Sequence, residues 1–289
     1  NFNFNHVDVN FINNTSEIKN HNHQSSIKNI IAISSCKGGV GKSTIALNLA
    51  YEMSKKFNVG LLDLDIYGPS FPTLINHHTQ PEIKDNILFP IIKHGIKFMS
   101  FGFINNENSP TIWRGPMVSW MTQQFFENVE WGSLDYLFLD LPPGTGDIQL
   151  TLVQKIALTG AIIITTPQIL SSVDVRKGSD MFKKVNTPII GIIENMSGLK
   201  FNGKINNYNE NNILEINNKK ININSDGKFI FEYDLFTGDA GINESKRLKL
   251  PLLGKINLDS RLCESCDNGI PFTKKFNGSF IQKEFNKIA

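Results

Sequence analysis

The sequence predicts an α/β fold: a doubly wound, mostly parallel sheet with helices on both faces. From Ile27 onward, short apolar runs alternate with amphipathic segments, as in "NIIAISS", "KSTIALNLAYEMSKKF" and "VGLLDLD". The later runs "LDYLFLDLP", "GAIIITTP" and "PIIGIIENM" are apolar throughout, as expected of strands covered on both faces. The segments between them, such as "IQLTLVQKIAL" and "VDVRKGSDMFKKV", are long enough to be the crossover helices of parallel strands. In such a fold the ligand lies beyond the carboxyl ends of the strands.

The 289 residues, 40% hydrophobic and 19% charged, suffice for a sizeable core. A formal net charge of +2 gives no field that argues for nucleic acid or an anionic membrane as partner. The longest apolar stretches end in turn residues well short of a bilayer span. Three cysteines do not make a disulfide framework, fit a reducing compartment, and are candidates for metal or redox chemistry.

Residues 1 to 26 are rich in Asn, His and Ser and read as a linker, with "HVDVNFI" the last strand of an upstream domain. They lack the basic start and apolar centre of a secretory signal. Residues 27 to 289 form the main domain, interrupted at about 201 to 228 by the Asn- and Lys-rich "FNGKINNYNENNILEINNKKININSDGK", which reads as a low-complexity insertion in a surface loop.

"IIAISSCKGGVGKSTIALNLA" carries the chemistry. A strand, a glycine-rich turn and a helix starting at Ser43 aim several backbone N–H groups and the positive helix end at one point, the geometry that holds a polyphosphate. The loop comprises Gly38, Gly39, Val40 and Gly41, with Lys42 along the phosphates, Ser43 on Mg²⁺ and Thr44 following. ATP is the expected nucleotide. The strict G-x-x-x-x-G-K-[ST] pattern fails at its first position, which holds Cys36, and an additional lysine, Lys37, precedes the glycines. "LLDLDIYGPS" ends a strand with Asp63 and Asp65, the latter placed to position the attacking water. "YLFLDLPPGTGD" places Asp140 where it can support the magnesium, and its turn can couple the γ-phosphate to movement. Asn195, ending "PIIGIIEN", has an amide suited to a purine edge or to a plain loop cap.

K-G-G-V-G-K-S resembles the deviant phosphate loop of the dimerising ATPases that include MinD, ParA and the nitrogenase iron protein. That resemblance implies that Lys37 reaches across a homodimer to the partner's nucleotide, a contribution in trans of the kind made by arginine fingers. Together, "DLDIYGPS", "WRGPMVSWMTQQF", "EWGSLDYLFLDLPPGTGDIQLTL" and "IIENMS" resemble the Mrp/ApbC family of iron-sulfur cluster carrier ATPases over about residues 27 to 273. "SSCKGGVGKS" looks most like its plastid-type high-chlorophyll-fluorescence scaffold branch. The resemblance implies ATP hydrolysis, a [4Fe-4S] cluster bridging two subunits, and apo iron-sulfur proteins as clients. The cytoplasm is the expected compartment, with the plastid stroma as alternative.

One departure stands out. Family members carry C-x-x-C a few residues after "ENMS", where this chain reads "ENMSGLKFNGKINN". The only such pair is Cys263 and Cys266 in "SRLCESCDNGIPF". Thiolates at that spacing can ligate iron-sulfur or zinc, and the competing reading is a fortuitous pair near the nucleotide site. Cys36 reads as a small buried residue of the loop. Trp113 and Trp120 read as core or dimer packing, Arg114 as a partner or nucleotide contact or a solvated salt bridge, and His77 and His78 as surface residues.

Two other functions compete. A positioning ATPase on membrane or DNA would use an amphipathic basic tail, and "GSFIQKEFNKIA" has the spacing for one, although a terminal helix docked on the sheet fits equally simple rules. A scaffold whose assembly the nucleotide regulates without productive turnover is the other.

Overall fold

The computed structural model describes residues 27–104, 115–209 and 213–289. The expected linker over residues 1 to 26, Trp113 and Arg114 lie outside them.

Strand β1 (Ile27–Ser34) leads through the glycine turn into helix α1 (Lys42–Ser54), which returns the chain to β2 (Val59–Asp63). A one-turn helix α2 (Phe71–Leu74) and a small hairpin of β3 (Ile83–Lys84) and β4 (Ile87–Leu88) precede β5 (Ile91–Lys93), β6 (Ile96–Ser100) and α3 (Phe101–Ile104). Helix α4 (Gly115–Glu127) then leads to β7 (Leu134–Asp140), α5 (Asp147–Lys155), β8 (Gly160–Thr165), α6 (Ile169–Lys184) and β9 (Ile189–Lys204). After β10 (Leu214–Ile216), β11 (Lys219–Ile221) and β12 (Lys228–Tyr233), the chain closes with α7 (Ala240–Leu248), β13 (Leu252–Leu258), α8 (Ser260–Asp267), α9 (Phe272–Lys275) and α10 (Phe280–Ile288).

The main sheet runs β12-β9-β8-β1-β7-β2-β6-β5, with β13 also paired to β9. Its interior pairs are parallel, and only β5 and β12 run antiparallel to their neighbours. The strands that read as apolar throughout are the central ones; β2 and β8 are buried at every position. Two apolar layers cover the sheet. One gathers Val118, Phe125, Trp131, Leu152, Val175 and Phe182; the other joins Ile45 and Leu49 of α1 to Phe98, Phe138, Phe272 and Phe285. All the parallel strands therefore finish on one edge, where their loops meet.

The C-terminal helix belongs to the second layer. Ser279 caps α10 by accepting from the Gln282 N–H at 3.2 Å, Ile281 and Phe285 are buried, and Gln282 and Asn286 both donate to Glu52 of α1 at 3.3 Å. Its apolar face is spent on the core rather than left for a membrane. No helix among the described residues is long and apolar enough to cross one.

Residues 201 to 228 differ from the loop that their composition suggested. Strand β9 is 16 residues long, and its outer end, Leu199 to Lys204, pairs antiparallel with β12 to form an arm. On one face of this arm Phe201 stacks on Phe231, and Phe231 on Tyr233, at ring-centre separations of 6.5 and 6.1 Å. Between the arm's strands, β10 and β11 form a hairpin whose turn residues, Asn217 and Asn218, take φ of 51° and 61°. Two consecutive left-handed residues match the right-handed twist of a tight hairpin, and asparagine tolerates them. Asp85 and Asn86 make the same turn between β3 and β4.

Candidate nucleotide site

The glycine turn is shaped by contacts on both sides. Gly39 and Gly41 have φ of 78° and 81°, and the Ile45 N–H donates to the Gly41 carbonyl at 3.0 Å to begin α1. Gly41 has a second reason to lack a side chain, because a Cβ there would lie 2.4 Å from Asn195 Nδ2. That amide donates to the Val40 carbonyl at 2.8 Å. The structure thus brings Asn195 to the loop, but with its amide nitrogen engaged by the loop backbone. Val40 is buried, whereas Lys37, Gly38 and Gly39 are exposed. Lys37 therefore projects from the rim of the site while Lys42 is buried within it.

Lys42, Ser43 and Asp140 converge. Lys42 Nζ lies 2.6 Å from Asp140 Oδ1, and Ser43 Oγ donates to Asp140 Oδ2 at 2.5 Å. Asp140 ends β7 and is fully buried. Beside it in register is Asp63, the last residue of β2 and equally buried. Asp63 accepts from Ser100 Oγ at 2.8 Å and from the Asp65 N–H at 2.9 Å. Burial first, then the Asp140 charge, push the Asp63 carboxyl up to about 7, against the pull of Lys42 and the two hydrogen bonds. Burial pushes Asp140 in the same direction, opposed by Lys42 and Ser43. Asp65 is half-buried one turn further on, its carboxylate accepting from the Gly68 N–H at 3.3 Å.

The turn after Asp140 is tied to the strand that feeds the phosphate loop. The Leu141 N–H donates to the Ile33 carbonyl and the Gly144 N–H to the Ser35 carbonyl, both at 3.0 Å. Gln149 of α5, which sequence reasoning missed, donates to Ser34 Oγ at 2.7 Å from a buried position. Ser100 was missed as well. Ser100 sits in no motif, Gln149 lies at the end of one with nothing local to mark its role, and both roles depend on neighbours far away in sequence.

The cysteines fall into two places. Cys36 packs against Gly178 of α6, where an added Cβ would lie 2.1 Å from the sulfur, and burial pushes its thiol up to about 12. It behaves as a small packed residue. Cys263 is exposed on α8; Cys266, half-buried on the same helix, places its sulfur 3.7 Å from Thr44 Oγ1. Burial raises the Cys266 thiol above its ordinary range. Among the described residues no group of three or more His, Cys, Asp or Glu side chains is arranged to hold a metal ion. His77 stands in contact with Thr79 Oγ1 at 2.7 Å and edge-on to Phe103, away from these groups.

A buried lysine at a helix start, a hydroxyl beside it and a strand-end carboxylate facing both are the parts of a site for a metal-bound polyphosphate. Similarity to known proteins agrees. The chain is 41% identical over 275 residues to the iron-sulfur cluster carrier protein of Synechocystis, an alignment covering 91% of this chain and 69% of the relative. It is also 41% identical over 267 residues to the iron-sulfur cluster transfer protein NUBPL of Dictyostelium discoideum, covering 91% and 75%. Among solved structures, the nucleotide-binding protein of Archaeoglobus fulgidus in complex with ADP superposes with a TM-score of 0.68 at 31% identity, over 90% of this chain and 94% of that one. The family model described as ParA, the NUBPL iron-transfer P-loop NTPases, matches residues 26–228. With the loop, the two strand-end aspartates and the sheet order all in place, the chain belongs to the ParA/NUBPL family of P-loop NTPases.

Proposed function

We propose that this protein is an ATP-dependent carrier that binds a [4Fe-4S] cluster as a homodimer and hands it to apo iron-sulfur proteins. The observation that carries the nucleotide half is the convergence of Lys42 and Ser43 on Asp140 at the carboxyl edge of the sheet. The backbone of residues 38 to 44 cradles the phosphates, and Lys42 lies along them. Ser43 and Asp140 are hard oxygen donors side by side, a set that suits Mg²⁺, which neutralises phosphate charge when bound. Asp65 orients the attacking water. Asn195 holds the loop through Val40 and stands next to the base. Lys37, exposed on the rim, meets the nucleotide of the second subunit, so hydrolysis requires two chains.

The carrier half is supported by the names of the relatives and by the Cys263 and Cys266 pair. One chain offers two thiolates, and a [4Fe-4S] cluster takes four, so two chains related by a two-fold axis supply a complete set. The tail of the rival membrane-binding reading is occupied, since α10 is docked on α1 and β13.

Anaerobic reconstitution followed by iron and sulfide analysis per dimer tests this function. The parent is expected to hold one cluster, and the Cys263→Ser/Cys266→Ser variant to hold none while still binding ATP. Equal cluster content in the two proteins excludes this pair as the ligands. A parent without cluster overturns the assignment of the cargo to this chain.

A further inference from the structure

Cys263 and Cys266 are three residues apart on α8, and Cys266 touches Thr44, two residues after the phosphate lysine. We propose that these two thiols form a reversible disulfide that weakens nucleotide binding through the contact with Thr44, an inference that rests on the nucleotide-site reading above.

The pair has an accessible member and a sheltered one. Exposed Cys263 is open to a small disulfide oxidant such as glutathione disulfide; half-buried Cys266 stands one turn away to resolve the mixed disulfide. In the first step the Cys263 thiolate attacks one oxidant sulfur and displaces the other as thiolate. In the second, the Cys266 thiolate attacks the Cys263 sulfur and displaces the remaining half. Two protein S–H bonds and the oxidant's S–S bond are lost, one intrachain S–S bond and two small thiols are gained, and two electrons pass to the oxidant. Cys36 takes no part, since it is packed on α6 against Gly178.

Closing the bridge must disturb the site. Residues three apart on a regular helix have Cβ atoms about 5 to 6 Å apart, whereas a disulfide holds them at about 3.5 to 4.5 Å. The sulfurs therefore draw together by unwinding this part of α8. Its N-terminal end resists, because Asp259 caps the helix by accepting from the Arg261 N–H at 3.0 Å, and the Arg261 guanidinium lies 5.0 Å from the Phe276 ring centre. Glu264 is tied to Lys275 at 2.6 Å. The turn carrying Cys266 is held as well, since Ser265 is buried and the Ser265 and Cys266 carbonyls accept from the Ile270 and Gly269 N–H groups, both at 3.0 Å, so neither end of α8 can absorb the closure without strain. Drawing the Cys266 sulfur into the bridge turns it away from Thr44 Oγ1, now 3.7 Å off, and so removes a contact to the first turn of α1, which supplies the phosphate-facing N–H groups. A bridged pair also has no thiolate left for iron, so the same oxidation removes both proposed cluster ligands.

The test is a titration of a fluorescent ATP analogue with the whole chain, reduced and after glutathione disulfide, with the linkage mapped by peptide mass. The oxidised protein is expected to carry a Cys263–Cys266 bridge and to bind about tenfold more weakly, reversibly on adding dithiothreitol. Cys263→Ser should show the same nucleotide affinity before and after the oxidant. The proposal is overturned if the bridge does not form, if it forms with affinity unchanged, or if Cys263→Ser loses affinity as the parent does. A reduced parent that binds no nucleotide would instead overturn the reading of the site.

Discussion

Asp63 and Asp140 are register partners on β2 and β7, both fully buried, yet the lysine lies against Asp140 alone. Two neighbouring carboxylates cannot both ionise cheaply in a dry environment, so the unpaired one keeps its proton. The two acids at the edge of the sheet are thus unequal: Asp140 faces the lysine, and Asp63, pushed up to about 7, holds its proton below that pH.

That asymmetry has a pH signature. The folded-state value for Asp63, about 7, stands above the ordinary 3.8. The folded chain therefore holds a proton that the unfolded chain gives up above about pH 4. The stability this contributes is complete below that pH and is lost as the pH rises through about 7. Asp63→Asn should melt higher than the parent at pH 8, with the difference vanishing near pH 4. A difference independent of pH in thermal melts would count against a neutral Asp63.

The two lysines separate by function. Lys42→Ala should abolish ATP binding, whereas Lys37→Ala should retain it and lose hydrolysis together with ATP-dependent dimerisation. Nucleotide titration, phosphate release and sedimentation distinguish them, and equal loss of binding in both variants would exclude a role for Lys37 in trans.

Gly41 carries two constraints that can be separated. Gly41→Ala introduces a Cβ 2.4 Å from Asn195 Nδ2 at a residue with φ of 81°. Adding Asn195→Ala removes the clash and leaves the backbone strain, of roughly 1 kcal/mol. The double variant should recover part of the ATP affinity lost in the single one. Full recovery would show that strain is negligible there, and no recovery that Asn195 is not the obstacle.

The arm and its hairpin are separable as well. Ile205 and Gly227 are joined by a backbone hydrogen bond of 2.9 Å, so residues 206 to 223 can be excised between neighbouring points. Melting should change by only a few degrees, since loop closure depends weakly on length. Cutting instead into Leu199 to Lys204 removes the partner of β12 and breaks the aromatic stack by deleting Phe201, with a larger loss and aggregation.

Much of the site was legible because its parts are local. A strand, a turn with three glycines, Lys42 and Ser43 follow one another directly, and Asp63 and Asp140 each end a strand that advertises itself by a run of mainly apolar residues. The hairpins were not read because their strands are only two or three residues long, too short to show an alternation. The one available signal was the pairs Asp85-Asn86 and Asn217-Asn218, residues suited to left-handed turns. The lock between Asn195 and Val40 spans 155 positions, and that between Gln149 and Ser34 spans 115, so only the folded sheet brings them together. The contact of Cys266 with Thr44 was hidden for the same reason.

The pairing of Lys42 with Asp140 has a further consequence for selectivity. The chain contains its own rival for the phosphate lysine, a buried carboxylate 2.6 Å away that is present at very high local concentration. An anion arriving from solution meets a protein in which only a fraction of molecules offers a free ammonium, and its apparent affinity falls by that fraction. A single weakly held phosphate competes poorly against so close a neighbour, whereas a polyphosphate gripped at once by the loop amides has binding energy to spare for the exchange. The internal rival thus acts as a threshold that favours long phosphate chains over the inorganic ion.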